Sequence, residues 1–407
     1  MDTIRFVVCG AGQRGELLTE QVLSKLPGVK VVAVSDPYVD KAEKVCRMLS
    51  EKGCDSAKVY SDYKEMFSKE KPDAVFVATS WSAHVEIALC AMEAGIAVAM
   101  EVGGAYSEEE CRQLIETYER TKTPFMFMEN CCFNKDELLA TALVRKGEFG
   151  KVVYCHGAYS HDLREEIGYG NIRRLYRLNE YTTRNRDNYP THDLGPIAKI
   201  LGINRGNRML SLSSRASGSF GLPEYINNNE ELSELHGRVF KQGDVVETLI
   251  TCENGELISL KLNTTLPTFY SREFTVQGTR GMYKAETNTV VVDGMEDFSH
   301  DKSLLANGNL INNAKSYEEY LPEIWKKVTP EMIEAGHGGC DVFEFEAFCD
   351  ALRKGEEMPI DVYDAAAWMS ISYLSEKSIA LGGASVEIPD FTNGAYKTRP
   401  PQDVVEF

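Results

Sequence analysis

Two short segments in the middle of the chain carry side chains that can transfer protons. Tyr159 and His161 follow an apolar run, and Tyr189 and His192 lie at the start of a helix-like segment. A phenol and an imidazole suit proton transfer at hydroxyl-bearing carbons when the substrate lies within hydrogen-bonding reach. Each of these side chains alone would more often be structural. Their grouping, together with Arg177, predicts an active site.

A glycine-rich turn near the N-terminus predicts a second kind of chemistry. Gly10, Gly12 and Gly15 lie between an apolar strand and a helix-like segment, and a second apolar run ends at Asp36. Gly10 permits a tight turn, Gly12 lets the backbone approach a pyrophosphate, and Gly15 lets the helix pack closely on the strand. Asp36 would accept hydrogen bonds from ribose hydroxyls and repel a 2′-phosphate. The stretch therefore predicts a dinucleotide site that prefers NAD to NADP.

The elements that must position these residues alternate through the first third of the chain. Strand patterns at 74–79, 97–101 and 125–130 follow the two strands around the glycine turn, and the helix after the first of them ends before Gly95. Such alternation indicates a parallel sheet with crossover helices. We therefore predict an α/β fold whose N-terminal domain, residues 1–148, is a Rossmann dinucleotide-binding domain.

The pattern changes to longer strands after Gly150. Their apolar residues alternate with a period of two, which suits an open, mostly antiparallel sheet with one face covered by helices. Residues 149–407 are therefore predicted to form a C-terminal α+β domain for substrate binding and oligomerisation. The predicted strands are 151–159, 245–253, 256–265 and 272–286.

Helices and excursions complete the second domain. Pro190 fixes the backbone before the helix that carries His192, and Thr191 is predicted to be its N-cap. Two C-terminal helices, predicted at 341–354 and 362–381, are candidates to pack back on the first domain. Segments 214–236 and 288–327 are predicted to be excursions over a site or at an oligomer contact.

Composition limits the partners and the location. The net charge of -18 argues against nucleic acid or an anionic membrane as a partner. No signal-peptide pattern is present, and no apolar stretch approaches the ~20 residues that a bilayer span needs. The 11 cysteines include no CxxC pair, so neither a disulfide framework nor a structural metal site is expected. We expect a cytoplasmic homo-oligomer that buries its open sheet face and binds a small molecule.

At this point the residues resemble the Gfo/Idh/MocA oxidoreductases. Their dehydrogenases usually carry Glu-Lys-Pro after the fifth strand, where this chain has Glu101, Val102 and Gly103. The chain is more similar to glycoside hydrolase family 109, the NAD-dependent α-N-acetylgalactosaminidases, which typically read Glu-Val-Pro there. A second departure is Asp193, where the family usually has glycine. The matching motifs are 128–133, 144–147, 159–164, 189–192, 203–206, 274–279, 337–339 and 361–368.

The resemblance implies roles for individual residues. It implies sugar contacts from Tyr159, His161, Arg177, Tyr189, His192 and Tyr270. Of these, Tyr159, His161 and His192 are the predicted catalytic residues, and Arg177, Tyr189 and Tyr270 are predicted to bind the substrate. The NAD contacts that it implies are Gly10, Gly12, Gln13, Arg14, Gly15, Asp36, Trp81, His84, Glu101, Val102, Asn130, Tyr189 and His192.

The resemblance also implies a mechanism for cleaving a small glycoside. NAD transiently oxidises the sugar at C3, a base removes the C2 proton, the aglycone is eliminated, water adds and the ketone is reduced again. Tyr159 would be the base at C2, with Arg177 or His161 favouring its deprotonated form. His192 would orient and deprotonate the C3 hydroxyl.

Two other functions fit the same fold. An NAD-dependent sugar or inositol dehydrogenase would produce net NADH, and the missing lysine at Val102 argues against it. A non-catalytic NAD-sensing protein would require the group of Tyr159, His161 and His192 to be incidental. The sequence leaves the identity of the sugar and its anomer open.

Overall fold

The computed structural model describes residues 3–54, 56–295 and 310–407. The backbone divides into two compact units, and the chain passes between them more than once. The first comprises Met1–Asn134 and Lys327–Met369, and the second comprises Lys135–Lys326 and Ser370–Phe407. The domain boundary after residue 148 stays a prediction. None of the helices in the described ranges is long and apolar enough to cross a membrane.

The strands form two sheets and are numbered here in chain order. They are β1 (Ile4–Cys9), β2 (Val29–Ser35), β3 (Lys58–Tyr60), β4 (Ala74–Val77), β5 (Ala97–Glu101), β6 (Phe125–Met128), β7 (Val152–Ser160), β8 (Met209–Ala216), β9 (Val245–Cys252), β10 (Leu257–Asn263), β11 (Thr275–Gly278), β12 (Gly281–Lys284), β13 (Thr289–Val292) and β14 (Val386–Glu387).

The α-helices follow in the same order. They are α1 (Gln13–Leu18), α2 (Val39–Glu51), α3 (Tyr63–Glu70), α4 (Trp81–Glu93), α5 (Glu108–Thr121), α6 (Lys135–Arg145), α7 (Arg164–Gly168), α8 (Gly170–Arg173), α9 (Arg177–Thr183), α10 (Thr191–Leu201), α11 (Gly221–Asn227), α12 (Glu323–Lys326), α13 (Pro330–Glu334), α14 (Cys340–Lys354) and α15 (Val362–Ala380). A π-helical turn, Thr19–Leu23, continues α1.

The first unit is built on a six-stranded parallel sheet. Its strand order is β3-β2-β1-β4-β5-β6, and every neighbouring pair is parallel. All residues of β4, β5 and β6 are buried, as expected for a parallel sheet covered on both faces. The order reverses at β1, so ligands are expected beyond the carboxyl ends of the strands there. The predicted Rossmann architecture is confirmed.

The second unit is built on an eight-stranded mixed sheet. Its order is β13-β12-β11-β7-β10-β9-β8-β14, in which the β7–β10 pair is parallel and the other pairs are antiparallel. On β9, Val246 and Ile250 are buried whereas Leu249 is 49% exposed. One face of this sheet is therefore covered and the other open, which confirms the predicted mostly antiparallel sheet.

Several predicted boundaries were wrong. The segment 272–286 forms two strands, β11 and β12, because the chain reverses between Gly278 and Gly281. Residues 214–216 belong to β8 rather than to an excursion. Within the second excursion, residues 289–292 form β13, and 296–309 lie outside the described residues.

The start of α10 also differs from the prediction. Thr191 is the first residue of the helix, and Pro190 is its N-cap, with no side-chain cap hydrogen bond. Proline lacks an N–H group that the first turn would otherwise leave unpaired, so it is well tolerated at a helix start. His192 therefore lies at the second position of α10, directly after the turn that holds Tyr189.

Candidate functional site

The glycine-rich turn in the first unit has the shape that a dinucleotide phosphate requires. A Cβ atom on Gly10, whose φ is +98°, would lie 2.4 Å from the carbonyl oxygen of Ala78. A Cβ atom on Gly15 would lie 1.9 Å from the carbonyl oxygen of Gly10, whereas no atom lies within 4 Å of one on Gly12. Two glycines are thus required by packing, and the third leaves open space for a ligand to approach the backbone.

Asp36 ties the second strand to this turn. Its Oδ2 atom accepts a hydrogen bond from the backbone N–H of Ala11 at 2.8 Å, and its Oδ1 atom accepts one from Tyr38 at 2.8 Å. A carboxylate has about four acceptor positions, so two remain for ribose hydroxyls. The buried carboxylate therefore fits the ribose contact that its position after β2 predicts.

A buried ionic cluster holds the side chain of Arg14 on the first turn of α1. Its Nε atom donates to Oε1 of Glu101 at 2.6 Å, and its Nη2 atom donates to Oδ1 of Asp341 at 2.8 Å. Asp341 also accepts from Nδ2 of Asn130 at 2.7 Å, and its Oδ2 atom lies 2.9 Å from Nδ1 of His337. Asp341 thus joins two residues that the sequence assigns to NAD binding, Arg14 and Asn130, and Arg14 joins a third, Glu101.

The surroundings of Asp341 and Glu344 shift the pKa values of these two acids in opposite directions. Burial works to raise the pKa of Asp341, but the charge of Arg14 and the hydrogen bonds from His337 and Arg14 outweigh it and lower the pKa. Glu344, one turn further along α14, has its pKa raised well above its usual range by burial and by the carboxylates of Glu101 and Asp341. Asp341 therefore carries a negative charge beside Arg14, and the surroundings of Glu344 favour its neutral form.

The segment after β4 and the segment after β5 also meet in the first unit. Gly103 packs against the indole of Trp81, because a Cβ atom on residue 103 would lie 2.5 Å from Cδ1 of Trp81. The Nε2 atom of His84 lies 3.1 Å from the carbonyl oxygen of Thr79, and burial lowers the pKa of His84 to about 4. The imidazole is therefore neutral at physiological pH. Val102 is buried beside Glu101, and Gln13 is exposed at the start of α1.

The second unit brings the predicted proton-transfer residues together. Tyr159, on the covered face near the end of β7, is 6% exposed. Its hydroxyl oxygen lies 3.2 Å from Nδ1 of His161. The hydroxyl oxygen of Tyr189 lies 3.4 Å from Nε2 of His192, and the rings of Tyr159 and Tyr189 are 4.6 Å apart. Two strand-end residues and two residues at a helix start thus form one cluster.

Arg177 and Tyr270 border this cluster. The guanidinium carbon of Arg177 lies 5.2 Å from the centre of the Tyr189 ring, and its Nε atom is 2.8 Å from Oε1 of Glu166. Tyr270, which is 46% exposed, has its ring 5.2 Å from that of His161. The cluster therefore has a buried base of aromatic rings, a fixed positive charge and one exposed aromatic edge.

Electrostatics set the protonation state of His161. Burial lowers its pKa, and the positive charge of Arg177 lowers it further, whereas Glu166 and Asp162 oppose this shift. His161 is therefore neutral at physiological pH and can accept a hydrogen bond or a proton. Arg177 has its pKa raised well above the usual range, because nearby tyrosines and Glu166 outweigh the effect of its burial. It is a permanent cation.

Comparisons with known proteins identify the chain. Residues 133–398 match the C-terminal domain of glycosyl hydrolase 109, and residues 4–128 match the NAD-binding Rossmann fold of the Gfo/Idh/MocA oxidoreductase family. The chain is 35% identical to an alpha-N-acetylgalactosaminidase from Tannerella forsythia, over 98% of this chain and 88% of that protein. This chain belongs to glycosyl hydrolase family 109. It is a glycoside hydrolase with an NAD-binding domain, as the sequence predicted.

A second relative and one solved structure are also similar to this chain. The chain is 36% identical to a glycosyl hydrolase family 109 protein from Parabacteroides distasonis, over 98% of this chain and 89% of that protein. Its fold is similar to that of scyllo-inositol dehydrogenase from Lactobacillus casei, solved with bound NAD(H) and scyllo-inositol. The TM-score is 0.67 at 14% identity, over 95% of this chain and 99% of that one.

The two departures from the family motifs each have a local structural partner. Asp193 is 2% exposed at the third position of α10, and a Cβ atom on Gly157 of β7 would lie 2.9 Å from its Cβ atom. The extra side chain at 193 is thus matched by a glycine on the strand beneath. At position 103, the indole of Trp81 occupies the space that a proline ring would need.

Sequence reasoning missed several residues that support these two clusters. Asp341 and Glu344 lie three positions apart on α14, so one face of this helix carries both acids, which was a usable signal. Glu166 binds Arg177, and Asp187 is fully buried two residues before Tyr189. These two have no distinguishing spacing in the sequence. The roles assigned to individual residues in catalysis and in binding NAD or sugar stay predictions.

Proposed function

We propose that this protein is an NAD-dependent glycosidase that cleaves a small glycoside without net oxidation of the sugar. The proposal is supported above all by the cluster of Tyr159, His161, Tyr189 and His192 beside the permanent charge of Arg177. When bound, NAD supplies a reversible acceptor for the hydride on the sugar C3, which acidifies the proton on C2. All proton transfers are then left to side chains of this chain.

Tyr159 is the proposed base at C2. Its hydroxyl lies 3.2 Å from a neutral imidazole, that of His161, which can accept the phenol proton. The charge of Arg177 favours the phenolate, since a nearby positive charge stabilises a negative one. Because Tyr159 is buried, water cannot easily replace it as the group that exchanges a proton with the substrate.

His192 is the proposed acceptor for the proton of the C3 hydroxyl, and Arg177, Tyr189 and Tyr270 are proposed to bind the other hydroxyls. Tyr189 lies between the two proton-transfer groups, with its hydroxyl 3.4 Å from His192. The exposed edge of Tyr270 suits a contact that forms when a sugar enters. In the first unit, the open space at Gly12 and the buried carboxylate of Asp36 support pyrophosphate and ribose contacts.

A sugar or inositol dehydrogenase is the alternative. The fold shared with scyllo-inositol dehydrogenase is compatible with it. However, Val102 stands where the resemblance to the Gfo/Idh/MocA dehydrogenases implies a lysine. A panel of nitrophenyl glycosides, assayed with and without NAD, separates the two. The glycosidase releases nitrophenol with no net change at 340 nm, whereas a dehydrogenase accumulates NADH from a free sugar. Alpha-N-acetylgalactosaminides come first in the panel because the Tannerella relative is an alpha-N-acetylgalactosaminidase.

A labelled substrate tests the proposed reaction itself. A glycoside with deuterium at C2, turned over in ordinary water, should release a sugar that has lost its label. Borohydride treatment should stop turnover until NAD is added back, because each cycle needs the oxidised cofactor. Hydrolysis that keeps the deuterium and ignores the redox state of the cofactor would refute the proposal.

We also propose a cytoplasmic location. All 11 cysteines are free thiols, and most are buried, which suits a reducing compartment. Cell fractionation with an antibody against the protein tests this, and recovery outside the cytosolic fraction would contradict it.

A homo-oligomer is proposed to cover the open sheet face of the second unit. Leu249 on β9 and Leu257 on β10 lie on this face and are 49% and 38% exposed. A second copy of the chain would remove them from water. Light scattering should give the molar mass of at least a dimer. Leu249→Lys should lower the molar mass towards that of a monomer, whereas Leu381→Lys, at an exposed helix end, should leave it unchanged. A monomeric wild type would contradict this.

A further inference from the structure

A separate cavity lies in the second unit beyond the proton-transfer cluster. Its volume is ≈ 520 Å³, within the range of small-molecule sites. No residue of the cluster lines it. Its lining residues come from the start of α7, from α11 and the turn that follows it, and from the segment after β10.

Fixed backbone forms two walls of this cavity. The start of α11 packs so closely on the segment after β10 that a Cβ atom on Gly221 would lie 2.1 Å from the carbonyl oxygen of Thr265. Asp244 links both walls, because its carboxylate accepts from the backbone N–H of Phe220 at 2.7 Å and from the hydroxyl of Thr265 at 2.6 Å. The cavity is therefore a built feature and not a gap between loose loops.

The lining chemistry suits a neutral, polyhydroxylated ligand. Tyr225 offers an aromatic face, and the amide of Asn228 offers donors and an acceptor for hydroxyl groups. The amide of Asn229 is held in place by the Tyr169 hydroxyl and the Glu231 backbone N–H. The guanidinium of Arg164 lies 5.4 Å from the Tyr225 ring, and its charge is balanced by Asp162 at 2.7 Å. Glu224 and Glu230 leave the cavity without a surplus of positive charge, so an anionic ligand is disfavoured.

Two short chain segments join the cavity to the cluster. Arg164 follows His161 by three residues, and Pro267 precedes Tyr270 by three residues. Three residues span at most about 11 Å, so two lining residues of the cavity lie within that distance of His161 and Tyr270, whose rings are 5.2 Å apart.

We propose that this cavity binds a neutral saccharide unit and is the subsite for the aglycone of the glycoside. The inference rests on the proposed function, because a second saccharide unit adjoins the cleaved bond only if the bond is glycosidic. It makes the substrate class more specific: a glycoside whose leaving group is itself a neutral sugar, rather than a phosphate, a nucleotide or a uronic acid.

Binding can be measured without turnover. Saturation-transfer NMR with free galactose and N-acetylglucosamine, with glucuronic acid for comparison, should show the neutral sugars bound to the wild-type holoenzyme. Tyr225→Ala and Asn228→Ala should weaken this binding at least fivefold. Tyr225→Phe should restore it, and Asn227→Ala, an exposed neighbour that does not line the cavity, should leave it unchanged. Equal binding to all variants, no binding, or preferred binding of glucuronic acid would overturn the inference.

A kinetic comparison separates this inference from the proposed function. Tyr225→Ala should raise KM at least fivefold for a disaccharide substrate and change kcat/KM less than twofold for a glycosyl fluoride, which has no aglycone sugar. Equal loss on both substrates would overturn the subsite and leave the glycosidase standing. Sugar binding that depends on Tyr225, with no glycoside hydrolysed, would overturn the proposed function and the aglycone role, and would leave the cavity as a saccharide site.

Discussion

The hydroxyl oxygen of Tyr159 lies 3.2 Å from the Nδ1 atom of His161, two residues later in the chain. In an extended strand, residues two apart lie on the same face, so the end of β7 delivers both side chains to one place. Burial and the charge of Arg177 lower the pKa of His161, which leaves its imidazole neutral. The pair can therefore share one proton, and the phenol is the member that is deeper in the fold.

Removing the Tyr159 hydroxyl should stop C2 proton exchange. Tyr159→Phe keeps the ring that packs 4.6 Å from Tyr189, so folding and NAD binding should persist. Turnover should fall by ~10²–10⁴, the usual contribution of one general base. Exchange of the C2 proton with deuterated solvent, followed by NMR, measures the effect. Tyr154→Phe, on the opposite face of β7, is the control, and near wild-type turnover of Tyr159→Phe would move the base to His161.

Substitutions at two glycines of the N-terminal turn should have different effects, one on cofactor binding and the other on stability. Gly12→Ala has open space around the added methyl group, so the unfolding midpoint should be unchanged, but NAD affinity should fall because the methyl group takes space that a pyrophosphate needs. Gly15→Ala should destabilise the fold, because its methyl group would meet the Gly10 carbonyl. Thermal unfolding and NAD titration measure the two effects. Unchanged NAD affinity in Gly12→Ala would contradict the proposed pyrophosphate contact.

Asp36 should set the preference for NAD over NADP. Asp36→Asn keeps a side-chain oxygen that can accept from the Ala11 amide, but it removes the charge that repels a 2′-phosphate. The dissociation constant for NADP, divided by that for NAD, should fall about tenfold, which is equivalent to about 1.4 kcal/mol. Calorimetric titration of both cofactors measures it, with Asp40→Asn on the exposed start of α2 as the control. Equal affinity of the wild type for NAD and NADP would contradict this role.

Most of the first unit could be predicted from short stretches of sequence. β1, β5 and the turn between β1 and α1 were predicted because a buried parallel strand and a glycine turn can each be recognised from consecutive residues. β8 was missed because serines at 211, 213 and 214 mask its alternation, and hydrogen bonds such as that between Ser214 and Thr248 satisfy them in the sheet. The glycines at 278 and 281 mark the turn between β11 and β12. It was overlooked because the strand pattern continues on both sides of it, so one strand was predicted where the structure has two.

The parts of the site that could not be predicted depend on contacts between residues far apart in the chain. Arg14 and Asp341 are 327 residues apart, and no local pattern indicates that they form an ion pair. The proton-transfer cluster was accessible to sequence reasoning because each half is a short motif at an element end. Of its supporting acids, Glu166 lies in the five-residue helix α7 and Asp187 lies in an irregular segment, and in neither place does spacing carry information about burial.

Asp187 should make stability depend on pH near neutrality. Burial raises its pKa to about 7 from an ordinary value of 3.8, against the opposing effect of the Tyr189 backbone amide. Between these two pH values the folded state holds a proton that the unfolded state has released. The wild type therefore loses stability as pH rises through this window, and the loss is complete above about pH 7.

Asp187→Asn removes this dependence, because the amide carries no titrating proton. The variant should gain stability relative to the wild type between pH 4 and pH 7, by at most about 1.4 kcal/mol per pH unit, and the difference should level off at higher pH. Urea unfolding at pH 5, 6, 7 and 8 measures it, with exposed Asp293→Asn as the control. If the free energies of unfolding of the variant and the wild type differ by the same amount from pH 5 to pH 8, Asp187 is ionised in the folded protein. The turn before Tyr189 would then hold a buried carboxylate and not a neutral carboxylic acid.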